Sequence, residues 1–200
     1  MEILLTLGAF ALVSSLTPGP NNLMLMSSGA NYGIRRTMPH MLGVSLGFTF
    51  MVFLVGIGIV QVFDIYPLSY SILKWLSIAY LLFLAYKIAV STNQVDNRTG
   101  TSKPFTFMQA ASFQWVNPKA WTMALSAISV YAPTKDLYSV TLVAVIFGVV
   151  NFPSITVWTA MGQTLQSVLS SSKRLRMFNY TMATLLVMSL YPVLFTQVVE

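Results

Sequence analysis

No cysteine occurs anywhere in the 200 residues, which excludes disulfides, thiolate-bound metals and thiol chemistry. A single histidine, His40, leaves no basis for a histidine metal site, and neither a metal nor an organic cofactor is expected. Charge is scarce as well: 8% of residues are charged, with 5 acidic against 11 basic, while 56% are hydrophobic. A mean hydropathy of +0.71 with so little charge excludes an ordinary soluble domain and makes the lipid bilayer the chain's surroundings. Residues 1–200 then form a single membrane domain, with no room for a second, soluble one. The formal net charge of +6 does not point to nucleic acid, because the basic residues sit in short connections between apolar runs. The first run is expected to be a retained span and not a cleaved leader. Glu2 stands where a signal would carry basic residues, and no small-x-small cleavage pattern precedes the first proline.

Six apolar spans can be read, at about 3–30, 38–63, 68–90, 105–132, 138–162 and 176–197. The fold class expected is therefore an all-α integral membrane protein. Ser91 to Pro104 is the one long polar stretch and reads as a linker between two three-span halves, about 1–90 and 105–200. Each half runs long broken span, second span, third span. Three is odd, so the halves enter the membrane from opposite sides and form an inverted repeat. The second span carries Gly43-Val44-Ser45-Leu46-Gly47, a small-xxx-small spacing that lets another helix approach closely.

Lysine and arginine set the orientation. With both termini outside, the inner connections hold Arg35, Arg36, Lys87, Arg98, Lys103, Lys173, Arg174 and Arg176, and the outer ones only Lys74 and Lys135. The acids lean the other way, with Glu2, Asp64, Asp136 and Glu200 outside and Asp96 inside. Tyr66, Tyr70 and Trp75 are placed near the outer interface, and His40 near the inner one beside Arg35 and Arg36.

The spans that carry chemistry are the first and fourth. As one continuous helix, residues 3–30 would reach roughly 42 Å, beyond a hydrocarbon core of about 30 Å. Thr17-Pro18-Gly19-Pro20-Asn21 interrupts that run at its centre, and Asn117-Pro118-Lys119-Ala120 interrupts the fourth span one hundred residues later. Thr17 reads as the N-cap of the restart with Pro18 at its first helical position, and Asn117 and Pro118 repeat that grammar. Both half-helices then aim positive N-terminal ends at mid-membrane. Lys119 lies there too. A charge at that depth is costly and by default faces a ligand or a wet cavity; the plainer alternative is a lysine bracing backbone carbonyls. Its desolvation also opens proton exchange as a second role. Asn21 and Asn22 in the first break, and Gln114 and Asn117 in the second, supply polar groups for a ligand or for the freed backbone. Trp115 and Trp121 flank Lys119 as pocket walls or as packing.

These paired motifs resemble those of the LysE/RhtB family of amino-acid exporters. The six-span length, Gly43 to Phe48 and Leu76 to Leu82 fit as well, so the resemblance spans essentially the whole chain. It implies a multi-pass exporter or antiporter of small amino acids in a bacterial cytoplasmic membrane, driven by the proton gradient. The functional positions it carries over are Pro18, Gly19, Pro20, Asn21, Asn117, Pro118 and Lys119, to which Thr17, Asn22 and Gln114 are added as candidate substrate-binding residues. Many members place an aspartate just after the Gly-x-x-x-Gly of span two, where this chain has Phe48 and Thr49. In that respect it resembles the cysteine/O-acetylserine exporters more than the lysine exporters. Serine-, threonine- or homoserine-like substrates fit the same pattern. No catalytic role is expected. A Ser–Lys hydrolase pairing Lys119 with Ser112 or Ser126, and a passive channel or structural subunit, are the competing classes. Monomer and homo-oligomer both stay open.

Overall fold

The computed structural model describes residues 2–59, 61, 65–66, 68–91, 103–191 and 194. Residues 92–102 of the expected linker and most of the segment after Tyr191 lie outside them, as do Asp64, Asp96, Arg98 and Glu200 of the charge count. The described residues form seven α-helices and no strand. In chain order these are α1 (Glu2–Leu16), α2 (Pro20–Gly56), α3 (Leu68–Ala89), α4 (Phe107–Phe113), α5 (Pro118–Tyr131), α6 (Leu137–Thr164) and α7 (Ser172–Met188). A 3₁₀ turn, Gln114–Val116, links α4 to Asn117. Three helices, α2, α3 and α6, are long and apolar enough to cross a membrane. Large apolar side chains point outward along them and along α1, among them Ile3, Leu5, Ile72, Trp75, Val149 and Val157. Such continuous outward apolar rows suit lipid contact and not water.

The first and fourth spans are broken where the prolines stand, but the first restart begins two residues later than expected. Its N-cap is Gly19 (φ −171°, ψ 176°) and its first helical residue is Pro20, not Thr17 and Pro18. The reason is local. A residue preceding proline is pushed out of the α region, so Gly19 cannot sit inside a helix while Pro20 follows it. The second break matches expectation: Asn117 caps α5, its side chain accepting from the Lys119 amide at 3.2 Å, and Pro118 takes the first position.

Nor do spans one and two join through a loop. Helix α2 runs on to Gly56, turning at one residue, Gly33, whose φ of 75° favours glycine. The amide of Ile34, cut off by that turn, donates to Gln163 Oε1 at 2.6 Å. His40 therefore faces the protein interior and not the surface. It is fully buried, with Nδ1 against Ser28 Oγ at 3.1 Å and its ring 5.1 Å from that of Phe105. At the other end of the protein Asp136 caps α6, accepting from the Ser139 amide and from the hydroxyls of Ser139 and Thr134. Those bonds favour the ionised form and hold its carboxyl well below the usual range.

Helix α2 packs along α6 in antiparallel fashion, and glycines set the spacing. A Cβ on Gly29 would overlap the Thr159 carbonyl, and one on Gly162 would overlap the Met26 carbonyl. Further along, Gly43 and Gly47 lie against the backbone of α4 at Phe107 and Ala111, as their spacing predicts. Alanine has the better helix propensity by up to about 1 kcal/mol, whereas forcing atoms into such a contact costs about 1–3 kcal/mol. Packing should win, so Gly162→Ala is expected to lower the melting temperature of the detergent-solubilised protein. Gly8→Ala, where an added Cβ meets nothing within 4 Å, should not. Equal melting temperatures for the two variants would contradict this account of the crossing.

Two large apolar cores result, with two smaller clusters beside them. One gathers Phe48, Val52, Ala124, Ile128 and Phe147 from α2, α5 and α6, and the other Leu23, Leu81, Phe113 and Leu186 from α2, α3, α4 and α7. The start of α2 and the two breaks lie where these cores meet.

Candidate functional site

A helix that stops leaves its last carbonyls without donors. At the end of α1 four side chains supply them. Thr17 Oγ1 donates to the Ser14 carbonyl at 2.8 Å, and Asn22 Nδ2 to those of Ser15 at 2.9 Å and Thr17 at 2.8 Å. Trp158 of α6 donates its indole N–H to the Leu16 carbonyl at 3.2 Å. The fourth donor is Lys119, whose ammonium bonds the Thr17 carbonyl at 2.5 Å and the Thr17 hydroxyl at 2.9 Å. The lysine of the second break is thus anchored on the negative end of the first half-helix. Gly19 is what lets it pass, since a Cβ there would stand 2.6 Å from Lys119 Cδ.

A second link ties the breaks together. Asn21 and Gln114 exchange amide hydrogen bonds at 2.8 and 3.2 Å, and Gln114, fully buried, also donates to the Ala110 carbonyl. The breaks therefore face each other. Between them opens a small cleft, with a cavity volume of about 30 Å³, onto which Gly19, Asn21, Asn22, Asn117 and Lys119 all look. Of the other expected site residues, Thr17 acts on the cleft through Lys119. Gln114 stands behind Asn21, and Pro18, Pro20 and Pro118 shape the backbone without lining the space.

The cleft has a polarity that the residues explain. Helix α2 starts there with no side chain capping Gly19, so the amides of Asn21 and Asn22 supply unpaired donors and a positive dipole end. Lys119 adds a full charge, and none of the lining residues is acidic. Phe48, Met123 and Ile155 give an apolar side. The arrangement suits one carboxylate attached to a small body.

Several lining residues escaped the sequence reading. Ser14 and Ser15 lie in the last turn of α1, and Asn151 lies in the middle of α6. The only signal for Asn151 was a lone amide in the otherwise apolar run Val149-Val150-Asn151-Phe152. Trp115 and Trp121, by contrast, are not cleft walls. They meet edge to face at 6.1 Å, with the Trp121 indole bonded to the Trp115 carbonyl, and pack against the first core. Ser126, on the unbroken helix α5, stands two turns from Lys119. The lysine's hydrogen bonds go to Thr17.

Residues 12–190 match the family model described as LysE type translocator. Proteins named cysteine/O-acetylserine efflux protein, from Escherichia coli strain K12 and from Shigella flexneri, are each 31% identical over 182 residues, covering 89% of this chain and 90% of theirs. No solved structure gives a significant match.

Proposed function

The chain belongs to the LysE type translocator family, and on that premise we propose that it exports small neutral amino acids or their derivatives across the bacterial cytoplasmic membrane, driven by the proton gradient. Cysteine, O-acetylserine and serine-, threonine- or homoserine-like molecules are the substrate class. The observation that carries this reading is the cleft between the two breaks, where the N-terminus of α2 and Lys119 meet with no acidic residue lining the space. The substrate carboxylate sits on Lys119 and on the amides at the start of α2, and the apolar side receives a short uncharged side chain.

Six spans in two inverted halves would carry this site. Supporting it are the matched breaks before α2 and α5, the turn at Gly33 that divides α2 in two, and the antiparallel course of α2 and α6. Alternating access then needs one half to rock against the other, making and breaking the bonds Lys119–Thr17 and Asn21–Gln114 that now hold the breaks together. Export is tested by loading cells or inverted vesicles with a panel of labelled amino acids and measuring efflux with and without a proton gradient. Release that is unaffected by collapsing the gradient would remove the coupling.

The distribution of lysine and arginine supports an orientation with both termini outside. The absence of native cysteine makes single introduced thiols clean reporters of this. In intact spheroplasts a membrane-impermeant thiol reagent should label Lys135→Cys and spare Thr99→Cys. The reverse pattern would invert the topology.

A further inference from the structure

An amino acid carries an ammonium as well as a carboxylate, and the carbonyls freed at the end of α1 already have donors in Thr17, Asn22, Trp158 and Lys119. Two residues that line the cleft carry a buried polar atom with no hydrogen-bond partner among the described residues: Ser15 Oγ, from the last turn of α1, and Asn151 Oδ1, from the middle of α6. Both residues are only 5% exposed, so bulk water does not serve them. A buried polar group left unpaired costs about 1–3 kcal/mol, and such a group in a native structure calls for an explanation. Here two occur on different helices, in residues that line the same cleft.

We propose that Ser15 and Asn151 form the seat for the substrate's α-ammonium. This rests on the reading of the cleft as an amino-acid site and assigns the half that Lys119 cannot serve. The amide oxygen and the hydroxyl oxygen both accept, as an ammonium requires. The zwitterion lies across the cleft, carboxylate toward Lys119 and the start of α2, ammonium toward α6 and the end of α1. A cation held by neutral acceptors adds no net charge to the protein, so the site recognises the amino group without an aspartate. Because α1 and α6 each supply one acceptor, binding also ties these two helices together through the ligand.

The test measures ligand-induced thermal stabilisation of the full-length protein in detergent, which needs no transport. The probes are L-cysteine and 3-mercaptopropionate, which differ only by the α-amino group; reductant is harmless to a chain without cysteine. Wild type should be stabilised far more by L-cysteine. Asn151→Leu should lose that preference, its affinity for L-cysteine falling about ten- to a hundredfold, as expected for a lost hydrogen bond to a charged group. Asn151→Asp keeps the acceptor and should keep the preference. Ser15→Ala should weaken L-cysteine selectively, and reads the same seat should Asn151→Leu fail to fold. An undiminished preference in Asn151→Leu, or in Ser15→Ala where Asn151→Leu does not fold, overturns the assignment. So does an equal loss of both probes. A wild type stabilised by neither probe, nor by other small neutral amino acids, would instead remove the amino-acid reading of the cleft itself.

Discussion

Lys119→Gln is expected to remain in the membrane and to lose export. Lys119 is the one ionisable residue lining the cleft, and its ammonium is held by both the carbonyl and the hydroxyl of Thr17. Glutamine retains N–H donors for the end of α1, so the break keeps its hydrogen bonding and the fold survives. What disappears is the charge. Truncating one partner of a buried, hydrogen-bonded charge pair costs about 2–5 kcal/mol, a loss of at least roughly thirtyfold in the rate of efflux at low substrate. Lys119→Ala should lose as much activity and some stability besides, because the Thr17 carbonyl then gives up one of its donors. Lys119→Arg should keep only a small fraction. Gly19 lies so close to Lys119 Cδ that the broader guanidinium has little room. Export rates from cells matched for membrane-inserted protein decide the matter. A glutamine variant as active as wild type would strip Lys119 of both the anion-binding and the proton-exchange roles.

That lysine was legible from the sequence because a charge inside an apolar run is expensive wherever it ends up. The breaks were legible for a related reason, since proline lacks the N–H that a helix interior needs. What the reading misjudged is which proline begins the helix. With Pro18 and Pro20 both available, the constraint on Gly19 as the residue before Pro20 decides, and it moves the cap from Thr17. Thr17 instead closes the turn behind it and holds Lys119. The burial of His40 was not legible because Arg35 and Arg36 suggest a loop there. A single glycine in a left-handed conformation makes the turn without one, so the helix carries His40 inward. Asn151 and Ser15 were missed for a different reason. One polar residue in an apolar span is ordinary, and only the packing of α6 against α1 and α2 shows two of them opening on the same space. Facing partners across a cleft belong to tertiary structure and leave no mark on the spacing along one helix.

The second large effect expected is on substrate charge: neutral amino acids such as cysteine and serine leave through this protein, and lysine and arginine do not. Every charged or dipolar feature of the cleft that the chain supplies as a donor favours an anion, from Lys119 to the open start of α2. One carboxylate satisfies these. One ammonium finds neutral acceptors. A second ammonium or a guanidinium on the side chain would have to lie along Phe48, Met123 and Ile155, where nothing can accept from it, or move toward Lys119, which repels it. Phe48 puts a ring, and no counter-charge, on that side of the cleft. Desolvating an unpaired charge costs several kcal/mol, and each 1.4 kcal/mol is about tenfold. Discrimination against cationic substrates should therefore exceed roughly a hundredfold. Overexpression should raise resistance to toxic neutral amino acids and increase release of cysteine or serine into the medium, while resistance to lysine and arginine analogues stays at the level of cells without the protein. Cells that export lysine readily and leave cysteine and serine untouched would show that a counter-charge reaches the cleft from elsewhere, and the electrostatic account of specificity would fall with it.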